Sequence, residues 1–297
     1  MLNRDRREQY CDVRLWVIEA IADEERKPSE SLWKNAPSGD DVLHERLRRI
    51  RFLRKYGLSK PGAISVADRL QTCEPMRRCL SGACPECGRL LQRWFVRQSK
   101  QFIARHLNKP SDELIAISIV PSAPLFSPGQ LGELSITNLQ RRLKWAFDRV
   151  NLKIAIGGID FSFNEDQNGR YQPFWSAHHY LITSTTDTVQ LGLNLRGIFR
   201  RSNEVPRPVK LTPFSNKPRR RSYALKMSFY RRIGHDDIKL KNGKTRKCRN
   251  TNRDRLRAKE RLELFIYLNQ IGLASRVVFR GAKPIINSLG VSISPIG

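Results

Sequence analysis

Four of the six cysteines, Cys73, Cys79, Cys84 and Cys87, fall within fifteen residues, and the last two form a C-x2-C pair with Pro85 inside and Gly88 after it. Zinc takes four tetrahedral thiolate or imidazole ligands, and a C-x2-C turn supplies two of them with backbone amides aimed at the sulfurs. The first pair is spaced more widely than usual, so ordinary buried thiols are the alternative, with a redox pair a further one. His44 and His106 are possible substitute ligands. Clustering, with Cys11 and Cys248 far away, favours a metal over an extracellular disulfide set. A closed thiolate site stabilises a fold and rarely catalyses. Its expected role is to fix the basic helix that follows, over residues 88–106.

A second candidate is "FWSAHHYLIT", residues 174–183, with adjacent histidines in an apolar run. Strand side chains alternate, so His178 and Tyr180 share one face while Ala177 and His179 share the other. Two successive histidines on a regular strand therefore cannot ligate one metal. His178 is either a ligand completed by other segments or a packed strand histidine. His179 is either structural or a DNA contact.

Those other segments carry a resemblance. In order, "LIAISIV", a helix, "IGGIDFSFNEDQNGRY", "FWSAHHYLIT" and "SYALK" resemble the blocks of HUH endonucleases, the rolling-circle replication initiators, over residues 113–231. The resemblance implies a strand bearing an acidic metal ligand, a His-hydrophobic-His strand, and a helix with a nucleophilic tyrosine followed by lysine. On this chain those positions are Asp160 (Glu165 nearby), His178, Tyr223 and Lys226. Tyr180 stands where the second histidine should be, so the metal motif is degenerate. Tyr230 is a second candidate nucleophile. The implied chemistry is nicking and joining of single-stranded or hairpin DNA. A divalent cation such as Mg2+ or Mn2+ polarises the scissile phosphate, and tyrosine attacks to leave a 5′-phosphotyrosine. The alternative is an eroded scaffold that binds DNA or structured RNA without cleaving it. A third reading is a zinc-bearing basic scaffold that assembles with other proteins on nucleic acid.

The charge agrees with a nucleic-acid partner. The chain has 297 residues, 55 Lys+Arg against 28 Asp+Glu, and a net charge of +27. A field of that sign attracts polyanions. Residues 217–261 hold 18 Lys/Arg and 4 Asp/Glu, +14 in all. The expected nucleic-acid contacts are Arg219, Arg220, Arg221, Arg231 and Arg232 around three aromatics, with Lys244, Arg246 and Lys247 beyond them. No stretch reaches the ~18 apolar residues of a membrane span, and no signal-peptide core is visible, so a cytoplasmic protein without membrane contact is expected.

Positioning these residues requires an α+β fold: a central, mostly antiparallel sheet with helices, a helical N-terminal region and a zinc knuckle. The pattern divides into a helical basic region (1–60), the knuckle with its helix (61–108), a Rep-like domain (109–235) and a basic C-terminal extension (236–297). Val13, Trp16, Val17 and Ala20 predict a first helix. Leu43, Leu47, Ile50 and Leu53 predict the apolar stripe of a second. Residues 113–120 read as a buried strand. Leu139, Leu143, Phe147 and Val150 mark a helix, and a turn at Asn168-Gly169 joins two strands. "NQIGLASRVVFRG" has the helix–turn–strand rhythm of a winged or helix-turn-helix reader.

Overall fold

The computed structural model describes residues 4–28, 31–60, 62–241, 244–288 and 290–296, with side chains described except over 4–14 and 238–249. The side chains of Cys11, Val13, Lys244, Arg246, Lys247 and Cys248 lie outside what is described.

The N-terminal helices are α1 (Arg4–Arg26), α2 (Gly39–Tyr56) and α3 (Ala63–Gln71), and α4 (Pro85–Phe102) follows the cysteine loop. Ser38 and Asp41 form a reciprocal capping box that starts α2. Its buried stripe differs from the expected one. Val42, Arg49, Ile50 and Leu53 face inward, while Leu43 and Leu47 are exposed. The reason is Arg49, whose guanidinium donates to Ala83 O (2.9 Å) and Glu45 Oε1 (2.9 Å) and sits 4.8 Å from the Phe265 ring centre. Pro85 opens α4 at a position where its missing N–H costs nothing. Trp94, Phe95 and Phe102 anchor α4 in the core, and Trp94 meets Trp16 of α1 at 5.0 Å between ring centres.

The rest of the chain runs β1 (Glu113–Ile119), α5 (Ile136–Arg149), β2 (Ala155–Asp166), β3 (Phe174–Thr185), α6 (Thr188–Ile198) and β4 (Val209–Pro213). Then come α7 (Pro218–Ser222), a 3-10 turn (Tyr223–Leu225), β5 (Tyr230–Lys241), β6 (Lys244–Arg255), α8 (Ala258–Ile271), β7 (Val277–Arg280), β8 (Ala282–Asn287) and β9 (Gly290–Pro295). The main sheet has the order β4-β1-β3-β2-β5-β6, with β7 also pairing β2. All pairings are antiparallel except β2 with β5. The expected mixed α+β class with a mostly antiparallel sheet is therefore observed.

The sheet has two dissimilar faces because β2 and β3 alternate. Ile159, Phe161, Phe163, Trp175, Ala177, His179 and Leu181 are buried on one face, where Tyr267 of α8 meets Phe161 edge-on at 5.3 Å. The other face carries Asp160, Ser162, Asn164, Ser176, His178 and Tyr180. After α8, β7 joins the central sheet against β2 and β8 pairs with β9 in a two-stranded sheet, and one apolar cluster takes in Trp16, Leu91, Phe161, Leu268 and Ile293, which come from all four expected segments. Among the described residues no helix is long and apolar enough to cross a membrane.

Candidate nucleic-acid site and metal centre

The polar face gathers the residues that the resemblance singles out. Asp160 and His178 are direct cross-strand partners, so their side chains rise side by side. The 3-10 turn bearing Tyr223 lies across them. Gly158 permits this, since a Cβ there would stand 2.2 Å from Ala224 O and 2.7 Å from Leu225 Cδ2. Tyr223 stacks edge-on against Tyr180 with ring centres 4.9 Å apart. Lys226 Nζ is 2.6 Å from Asp160 Oδ2 and lies 5.4 Å from the Tyr223 ring centre and 5.8 Å from that of Tyr230. The strand with the histidines, the acidic strand and the tyrosine turn thus meet on one surface.

Two buried arginines hold the turn from behind. Arg276 is 1% exposed and donates to Lys226 O (2.7 Å) and Ile159 O (3.3 Å). Burial lowers its guanidinium to about 10. Arg221, also buried, donates to Val96 O at 3.1 Å and to Asn216. From α4, Gln92 Nε2 reaches Ser222 O at 2.8 Å.

His178 is neutral in this setting. Its Nε2 lies 2.6 Å from Ser162 Oγ and 3.0 Å from Ser176 Oγ. Burial first, then Arg232 and Lys226, holds its pKa well below the usual value. His179 is a core residue and not a DNA contact: it is 2% exposed on the opposite face, and burial lowers it to about 4.

The arginines divide between the faces. Arg232 pairs in register with Asn164 on β2 and Arg253 on β6, which sets all three on the polar side. Arg253 stands 6.0 Å from the Tyr230 ring centre. Lys210 on β4 shares a row with Ser118 and Tyr180. Arg219 and Arg220 are exposed on α7. Arg231 instead points to the opposite side, paired with Glu165 at 3.4 Å and with Asp254, and Arg221 is turned inward. The sequence reading missed Ser162, Asn164, Ser176, Lys210 and Arg253. The alternation of Asp160, Ser162 and Asn164 with Ile159, Phe161 and Phe163 was the signal available for the first two.

A divalent cation of the implied kind is not matched by these residues. Asp160 Oδ1 is buried without a hydrogen-bond partner, which would suit a cation. Its other oxygen, however, already carries the Lys226 ammonium, and His178 Nε2 faces two hydroxyls. Among the described residues no third His, Cys, Asp or Glu joins them in a ligand group. Glu165 is held by Arg231 and Arg257.

The cysteines do form such a group. The Sγ atoms of Cys73, Cys79, Cys84 and Cys87 lie within 4.8 Å of one another, with separations of 3.5 Å (Cys73–Cys87), 3.7 Å (Cys79–Cys87) and 3.7 Å (Cys73–Cys84). Four thiolates at ~2.3 Å from a tetrahedral metal sit about 3.8 Å apart, so the donor set fits a metal such as zinc. The crowded thiols perturb one another in opposite directions, Cys73 held well below its ordinary value by its hydrogen bonds and Cys84 and Cys87 pushed well above theirs. Around them, Arg78 donates to Cys73 Sγ (3.8 Å) and pairs with Glu86 (3.3 Å) and Glu25 (2.5 Å). His44 and His106 stand outside the ligand group.

The cysteine centre and the polar face are neighbours. A Cβ at Gly88, next to Cys87, would fall 2.0 Å from Met227 Cε, and Met227 follows Lys226. The helix that follows the cysteines, α4, reaches the tyrosine turn through Gln92 and Gly88. No protein-family model, curated protein or solved structure matches this chain.

Proposed function

We propose that this chain is a nucleic-acid-binding protein of the replication-initiator kind, which draws a single strand across the polar sheet face and presents a phosphodiester to Tyr223. The observation that carries this reading is the meeting of Asp160, His178, Tyr180, Tyr223 and Lys226 on one surface. Tyr180, Tyr223 and Tyr230 supply stacking platforms, and Lys210, Arg219, Arg220, Lys226, Arg232 and Arg253 supply charge for the backbone. In the nicking reaction the Tyr223 oxygen attacks phosphorus and loses its proton. The P–O3′ bond breaks, the 3′-oxygen takes up a proton, and the 5′-phosphate stays on the phenol. Lys226 holds its ammonium beside both the phenol ring and the carboxylate. The metal at the four cysteines is zinc, with a structural role.

A second reading, binding without cleavage, is favoured by the Lys226–Asp160 pair and by the missing third ligand. One experiment separates the two. Labelled single-stranded and hairpin DNA are incubated with the protein, with and without Mg2+ or Mn2+, and resolved under denaturing conditions. A covalent adduct lost in Tyr223→Phe supports the enzyme. Binding without an adduct supports the eroded scaffold, and no binding to any strand refutes both.

A further inference from the structure

We infer that the polar face carries a phosphate subsite in which Lys226 and Arg232 take the place of a divalent cation, so that the backbone phosphate is held by nitrogen donors alone. This deepens the proposed function, and it rests on a nucleic acid crossing that face. Three observations lead to it.

The first is an excess of positive charge. Lys226 stands over the rings of Tyr223 and Tyr230, Arg253 stands beside Tyr230, and Arg232 pairs in register with Arg253 on the same side of the sheet, while the carboxylate ion-paired among them is Asp160, held by Lys226. The second is what each cation has left to offer. Lys226 directs one of its three N–H groups to Asp160 at 2.6 Å, which orients the ammonium and leaves two donors. Arg232 is only partly exposed and, among the described residues, forms no ion pair with a carboxylate, unlike Arg231 one position earlier, which binds Glu165 and Asp254. Burial holds its guanidinium below the ordinary value even with Asp160 nearby, so this half-buried arginine is stabilised by an arriving anion. The third is the arrangement that a metal would need. Asp160 is engaged by an ammonium, and His178 by Ser162 and Ser176.

The chemistry is self-consistent. Charge-assisted N–H···O bonds from guanidinium and ammonium suit the non-bridging oxygens of a phosphodiester. They place positive charge where the transferring phosphoryl group would develop negative charge. Asp160 is then a positioning residue for Lys226 and not a metal ligand.

The test is anisotropy of a labelled single-stranded DNA oligonucleotide over a salt series, in metal-free buffer and with Mg2+ or Mn2+ added. Wild type should bind equally well in the three buffers at matched ionic strength. Arg232→Gln should weaken binding about tenfold and reduce the log–log salt slope by about 0.7, the value of one single-strand phosphate contact. Asp160→Asn should weaken it less. Arg253→Gln, at an exposed position, serves as a second variant that leaves the fold intact, with its own slope reduction. Affinity that rises tenfold on adding Mg2+ or Mn2+, or an unchanged slope in both arginine variants while wild type still binds DNA, overturns the subsite. Loss of all DNA binding by wild type would instead refute the function it rests on.

Discussion

Gly158 offers the sharpest mechanical test of how the tyrosine turn is seated. A methyl group at this position would start 2.2 Å from Ala224 O, and Cβ contacts under 3.0 Å do not occur, so backbone must part by about 0.8 Å or more. The obstacle is a main-chain carbonyl and not the end of a flexible side chain. The turn is also pinned from behind by Arg276, Arg221 and Gln92, so relief must come from lifting the Tyr223–Lys226 segment off the sheet. Overpacking of this kind costs about 1–3 kcal/mol. At roughly 2 °C per kcal/mol for a chain of this size, Gly158→Ala should lower Tm by about 2–6 °C. The same displacement should stretch the 2.6 Å Lys226–Asp160 pair and lower single-strand affinity or adduct yield by more than the stability loss explains. Gly197→Ala is the control. It lies in α6 with nothing within 4 Å of the added methyl, so it should be neutral or stabilise by up to about 1 kcal/mol. Differential scanning fluorimetry and DNA binding on the two variants decide the matter. A Gly158→Ala protein with wild-type Tm and wild-type affinity would refute the argument that a close backbone approach seats Tyr223.

Other perturbations have equally definite outcomes. Metal analysis should return about one zinc per chain, with Cys87→Ser losing the metal and lowering Tm by several degrees; a metal-free wild type of unchanged stability contradicts the thiolate centre. Both central histidines are held neutral in the folded state, His179 down to about 4 and His178 well below its ordinary value. Below pH ~6.5 the unfolded chain binds more protons than the folded one, so stability is full above that pH and falls as acid is added. Denaturant melts should show a loss on the order of 2–4 kcal/mol between pH 6.5 and 5. Replacing His179 with Gln should flatten that dependence, and an unchanged profile would contradict its burial as a neutral group. Arg219→Ala with Arg220→Ala should weaken binding to all single strands alike and reduce the salt slope by about 1.4. Arg221→Ala should chiefly destabilise the fold, because its guanidinium caps Val96 O.

Much of this was legible in the sequence where a local period or spacing encodes it. The alternation through residues 174–183 separated His178 from His179 before any contact was known, and the two do lie on opposite faces. The helices anchored by Trp16 and Leu139 formed as their apolar spacing implies. The four cysteines converged because a C-x2-C turn constrains its own sulfurs. What stayed hidden depended on distant partners. Arg49 reads as a surface charge until Ala83 O and Phe265 give it a buried place, and the inward stripe of α2 then takes Val42 and Arg49 where Leu43 and Leu47 were expected. The strands β5 and β6 were masked by their charge, since Lys and Arg rarely mark strands. The C-terminal rhythm was right in kind, helix then strand, yet β7 closes on β2 through a pairing that no local pattern specifies. At the site, Tyr223 and Lys226 were legible as types, but the approach that joins them to Asp160 needed Gly158 as much as either.

The claim that the polar sheet face is where nucleic acid lies is tested most directly by zero-length crosslinking. A single-stranded oligonucleotide bearing photoreactive thymidines is irradiated on the protein, and the modified peptides are located by mass spectrometry. The account predicts crosslinks in residues 174–183 and 218–232, centred on Tyr180, Tyr223 and Tyr230. Crosslinks confined to the opposite side of the sheet or to the N-terminal helices, with those peptides untouched, would contradict it.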